Sequence, residues 1–125
     1  MLERSPPWTS CGPISEKRKA YHTRLLKLDS RVYEAFTALE RATFCDGELP
    51  KKHKELIAIG GSVVKDCESC MQWHIEQARA ASASFRGVLE AVEVGNEMGG
   101  GPATVSARFA LEVMDSVFGE EAPGT

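Results

Sequence analysis

Cys67, Cys70 and His74 fall in one short stretch, Asp66-Cys67-Glu68-Ser69-Cys70-Met71-Gln72-Trp73-His74. On an α-helix each residue advances about 100°, so these three side chains lie within roughly 60° of one another on a single face. Two thiols at that spacing can cycle between dithiol and disulfide, and an imidazole one turn further on can take a thiol proton. Asp66 reads as the N-cap of this helix, which puts Cys67 inside the first turn. There the unpaired backbone N–H groups favour a thiolate.

Glu55 is the fourth candidate. It opens an apolar run containing Leu56, Ile57, Ile59, Val63 and Val64, and a carboxylate beside such a core needs a partner. An ion pair with a lysine or arginine is the structural reading. If the helices on either side of Lys65 and Asp66 form a hairpin, Glu55 and His74 stand at depths of roughly 15 Å and 12 Å from the turn, where their side chains meet. The order along the groove is then Glu55, His74, Cys70, Cys67. Glu55 would orient His74, His74 would withdraw a proton from Cys70, and the thiolate would attack a peroxide oxygen or a disulfide sulfur. Cys67 would resolve the resulting sulfenic acid as an intramolecular disulfide. First-turn placement argues for Cys67 as nucleophile instead, whereas proximity to His74 favours Cys70. A zinc or iron module is the competing use of the cluster, with Cys67, Cys70 and His74 joined by Cys45 or Glu55. Ligands strung along one helix stripe over about 10 Å suit a tetrahedral ion poorly.

The elements that must position these groups read as six helices. Residues 1–13 hold Pro6, Pro7, Gly12 and Pro13 and form an irregular arm that includes Cys11, a cysteine without a partner motif. A shallow helix follows from Ile14 to about Leu28, with His22 solvated. Asp29 or Ser30 caps a second helix, whose Val32, Tyr33, Phe36, Leu39 and Phe44 have the spacing of a core-facing stripe. Cys45 at its end reads as a small buried hydrophobe. The third helix, about Lys51 to Lys65, starts with Lys51, Lys52, His53 and Lys54, the wrong sign for that end, which Asp46 and Glu48 offset. Gly60-Gly61 within it predicts close approach of another helix backbone. The motif helix runs to about Ala83, a fifth from Ser84 to Met98, and a sixth from about Ala103 to Phe118, opened by Pro102. Residues 119–125 form a polar tail. Gly99-Gly100-Gly101 lacks the lysine and preceding strand of a phosphate loop. The fold class is all-α, a single helical domain over residues 14–118.

The bulk properties agree with this reading. The chain has 125 residues, 42% hydrophobic and 26% charged, with a formal charge of −3. That is enough for one core, and the acidic balance argues against nucleic-acid or anionic-membrane partners. The N-terminal segment lacks the apolar stretch of a secretory signal, so the expected location is the cytoplasm, where a Cys-x-x-Cys pair means catalysis or metal more often than a crosslink.

Lys54-Glu55-Leu56-Ile57-Ala58, then Cys67-x-x-Cys70-x-x-x-His74, with Trp73 before the histidine, resembles the alkyl hydroperoxidase D-like branch of the carboxymuconolactone decarboxylase family over roughly residues 45–115. The resemblance implies an all-helical fold, assembly as trimers or hexamers with the groove near subunit contacts, and a core completed by other copies. It implies proton-relay acid, resolving cysteine, peroxidatic cysteine and relay base for Glu55, Cys67, Cys70 and His74. No cofactor is implied; the partners would be a peroxide or disulfide substrate and a thiol reductant. Ser69 stands where the alkyl hydroperoxidase itself has a second histidine, and this chain is too short for that enzyme's two-repeat architecture. A cofactor-free decarboxylase like the family's namesake is the other activity the resemblance offers, in a branch that lacks the cysteine pair.

Overall fold

The structure, a computed structural model, describes residues 12–124, with side chains from Ser15 onward. Cys11 and the residues before it, most of the expected arm, lie outside the described residues, and Gly12 and Pro13 already belong to the first helix. The described residues form α1 (Gly12–Lys27), α2 (Arg31–Thr43), α3 (Lys51–Lys65), α4 (Glu68–Ala80), α5 (Phe85–Gly99) and α6 (Ala103–Phe118), followed by a 3-10 turn at Gly119–Glu121. There is no strand among them, as the helical periodicity throughout requires.

The core sits among α3, α4, α5 and α6. Ile59 and Val63, Met71 and Ile75, Val88, and Val113 and Met114 are each fully buried there, and side chains of this size contribute about 1.5–3 kcal/mol apiece on burial. Helices α3 and α5 cross closely because neither has a side chain at the crossing. A Cβ on Gly95 would stand 2.6 Å from the Gly60 carbonyl oxygen, and one on Gly60 would meet the Ala91 carbonyl oxygen at 3.3 Å. The expectation from Gly60-Gly61 therefore holds for Gly60, whereas Gly61 has nothing within 4 Å of its Cβ position.

Outside this unit, α2 buries none of its residues. Its apolar stripe was expected to face the core, yet Val32 is 83% exposed, Phe36 60% and Leu39 59%. The periodicity correctly marks an amphipathic helix, but the four-helix unit is already closed without it. Cys45, beyond the end of α2, is exposed rather than buried for the same reason. Helix α1 is fastened to α4 through Arg18, whose guanidinium lies 4.2 Å over the Trp73 ring and 3.2 Å from a Glu76 carboxylate oxygen. No helix of the described residues is long and apolar enough to cross a membrane.

Candidate active site

The site begins at the turn between α3 and α4, which has no spare residue. Helix α3 ends in the paired hydrogen bonds of a Schellman motif, Cys67 N–H to the Ser62 carbonyl at 3.1 Å and Asp66 N–H to the Val63 carbonyl at 3.2 Å. Such an ending needs one left-handed residue, and Asp66 supplies it at φ 53° and ψ 46°, a conformation aspartate tolerates better than most. Asp66 was expected to be the N-cap of α4; it is instead the C-cap of α3. Its carboxylate accepts instead from the hydroxyl of Ser106 on α6, at 2.7 Å, which ties the turn to the core.

The N-cap of α4 is Cys67 itself, whose Sγ accepts from the Cys70 backbone N–H at 3.2 Å. This moves the first turn by one residue: Cys70, not Cys67, lies within it. The two sulfurs are joined in a disulfide. In the reduced state, the amide that reaches the Cys67 sulfur would stabilise a thiolate there.

One turn on, His74 is held from two sides. Its ring lies 5.0 Å from that of Phe44, and its Nδ1 is 2.7 Å from Oε1 of Glu55, a carboxylate only 1% exposed. With Nδ1–H donating to the carboxylate, Nε2 keeps its lone pair free to accept a proton. The second Glu55 oxygen takes the Lys51 ammonium at 2.6 Å. Burial by itself pushes the Glu55 carboxyl pKa up; the hydrogen bonds and charges of His74 and Lys51 outweigh it and leave the group below its ordinary value. Glu55 is thus a buried anion with both oxygens engaged. Lys51, the first of the basic residues that open α3, sits four residues before Glu55 on the same helix, a spacing that could have identified it. Asp46 covers the exposed end of that helix by accepting from the Lys51 backbone N–H at 2.7 Å.

Cys70 and His74 open onto a cavity of about 590 Å³ whose other wall comes from α1 and α2. Cys67 does not line it. His22, expected to be solvated, lines this cavity and pairs through Nδ1 with the Tyr33 hydroxyl at 2.6 Å. Nothing in the local spacing announces that pair, because it joins two helices across a turn. A second hollow of about 340 Å³, on the side of Lys51 and Glu55, includes Cys45. Among the described residues, no three or more His, Cys, Asp or Glu side chains converge as metal ligands. Cys45 in particular does not complete a set with Cys67, Cys70 and His74.

Comparison with known proteins agrees with the all-helical fold and with the family resemblance. The sequence profile of the carboxymuconolactone decarboxylase family matches residues 30–113. "Uncharacterized protein 4 in cox locus" of Paracoccus denitrificans is 38% identical over 86 residues, 69% of this chain and 78% of that protein. The crystal structure of apo-lpg0406 from Legionella pneumophila, a carboxymuconolactone decarboxylase family protein, superimposes with a TM-score of 0.82 at 29% identity, covering 87% of this chain and 97% of that one. TM1620 from Thermotoga maritima shares the fold with a TM-score of 0.78 at 24% identity, over 84% of this chain and 92% of that one.

Proposed function

The chain belongs to the carboxymuconolactone decarboxylase family, and within it we propose that this protein is a thiol-dependent peroxidase or disulfide reductase of the alkyl hydroperoxidase D-like kind. The observation that carries the reading is the pairing of the Cys67–Cys70 disulfide with a His74 whose Nδ1 is held by buried Glu55. Glu55 fixes the tautomer, His74 Nε2 takes the Cys70 proton, and the Cys70 thiolate attacks the terminal oxygen of a hydroperoxide. The S–O bond forms as the O–O bond breaks, giving a sulfenic acid and an alkoxide that is protonated to the alcohol. The Cys67 thiol then displaces hydroxide from that sulfur, releasing water and closing the disulfide, which an external dithiol reduces.

Cys70 is the nucleophile because it shares the open cavity with His74, while Cys67 does not line it. The amide at the Cys67 sulfur suits a resolving and leaving thiolate. The Cys-x-x-Cys pair also separates this chain from the decarboxylase reading, which has no use for it.

The test is thiol titration of the reduced, metal-free protein before and after one equivalent of tert-butyl hydroperoxide, followed by turnover with dithiothreitol. Rapid loss of two thiols per chain and sustained peroxide consumption are expected. Inert thiols, or stoichiometric zinc or iron in the untreated protein, would overturn the assignment.

Copies of this chain are also proposed to assemble as a trimer or hexamer that covers the exposed α2 stripe, since Val32, Phe36 and Leu39 are each more than half exposed along it. Sedimentation should show the oligomer, and Val32→Asp with Leu39→Asp should dissociate it; a wild-type monomer would contradict this. Location in the cytoplasm, where reductants for such a disulfide are maintained, fits the same chemistry.

A further inference from the structure

The protons of the peroxidase step balance if His74 returns the Cys70 proton to the leaving alkoxide, but His74 stands on α4 with the attacking sulfur. His74 receives a proton from Cys70, while the alkoxide expelled from the peroxide needs one. Displacement at an oxygen runs in line, with the leaving oxygen on the side of the reacting atom away from the sulfur. The acid is therefore wanted from the wall facing α4, which α1 and α2 provide.

Most donors on that wall are committed elsewhere or exposed. Arg18 is stacked on Trp73 and paired with Glu76. The Thr37 hydroxyl donates to the Tyr33 backbone carbonyl at 2.9 Å, and Lys19 is exposed. Tyr33 differs on each count. Its position is set at the first turn of α2, where its backbone N–H is capped by the Ser30 hydroxyl at 3.2 Å, and its Oη is fixed by His22 Nδ1 at 2.6 Å. A phenol both accepts and donates. When the Nδ1–H tautomer of His22 donates to Oη, the phenolic proton is left for a ligand in the cavity that both residues line.

We propose that Tyr33 is a catalytic acid of this site, protonating the alkoxide that leaves when Cys70 attacks an alkyl hydroperoxide, and that His22 is its positioning residue. Resting on the peroxidase reading, the inference adds a second half-reaction. As the Cys70 sulfur bonds to the terminal oxygen and the O–O bond breaks, the electron pair goes to the alkoxide, which takes the Tyr33 proton and departs as alcohol. The tyrosinate is stabilised by the His22 N–H and regains its proton from solvent through the open cavity. The pair also fastens α1 to α2, so the decisive readout must depend on the leaving group, which a purely structural role does not see.

The experiment compares single-turnover oxidation of reduced wild type, Tyr33→Phe and His22→Asn by tert-butyl hydroperoxide and by peracetic acid. The first expels a strongly basic alkoxide; the second expels acetate, which needs no proton. Removing a general acid costs about 10²- to 10⁴-fold. Tyr33→Phe should lose at least the lower figure with the hydroperoxide and keep the wild-type rate with the peracid. His22→Asn, which retains a donor near Oη, should lie between wild type and Tyr33→Phe on the hydroperoxide alone. Equal slowing with both oxidants, or no slowing with either, overturns the role of Tyr33 while leaving the peroxidase reading in place. A wild-type chain oxidised by neither reagent removes that reading and this inference together.

Discussion

Helices α3 to α6 and the α1–α2 hairpin are built on different terms. The first group buries its large aliphatic side chains completely and brings two helices to backbone contact at Gly60 and Gly95. In the second, α2 buries nothing, and α1 is fastened through Arg18 and the His22–Tyr33 contact. Yet the cavity needs both. The rigid unit holds Glu55, Cys67, Cys70 and His74 in register, and the thinly attached hairpin supplies the wall a substrate would meet. A reactive disulfide has to be reached by an oxidant and then by a reductant, and a wall with few buried contacts opens at low cost.

Substitutions can sharpen that contrast or break it. The largest effect is expected at Ile75→Ala, a fully buried α4 position, with a loss of about 2–5 kcal/mol in urea denaturation. Gly95→Ala should cost about 1–3 kcal/mol, because the new methyl group meets backbone and the helices must part.

Glu55→Gln should cost about 1–3 kcal/mol at neutral pH by unsettling its two hydrogen-bonded partners, His74 and Lys51. The pH dependence carries the same signature. Since the folded carboxyl pKa is lowered from 4.5, the stability it contributes is present above that value and is lost as the pH falls through the folded pKa. The wild type should lose stability in that acid window, and Glu55→Gln should lose less.

Arg18→Ala should cost about 0.5–1 kcal/mol globally but raise hydrogen exchange across α1. Val32→Ala should change the stability of the separated chain by no more than about 0.5 kcal/mol. A loss there as large as that at Ile75 would erase the distinction between the two regions.

Much of the rigid unit was legible in the sequence. The depths of Glu55 and His74 on a two-helix hairpin follow from rise per residue, and the two side chains meet at 2.7 Å. The helix boundary at Asp66 was misread because an aspartate next to a helix start looks like an N-cap. Only the left-handed ending of α3 shows that the cap had passed to Cys67. The hairpin was harder to read. Periodicity identifies the apolar stripe of α2 but not whether anything covers it, and the exposure of Cys45 follows from the same ambiguity. Tyr33 looked like one more core aromatic and His22 like a surface residue, since their contact depends on how two helices pack and leaves no local pattern.

The proposed chemistry turns on which sulfur is attacked. Reduced Cys67→Ser and Cys70→Ser would each be treated with one equivalent of tert-butyl hydroperoxide in the presence of dimedone and weighed intact. Cys67→Ser should gain a single dimedone adduct, mapped by peptide sequencing to Cys70, and Cys70→Ser should gain none. An adduct on Cys67 in the Cys70→Ser protein, with Cys67→Ser unlabelled, would contradict the assignment of Cys70 as the nucleophile served by His74 and Glu55.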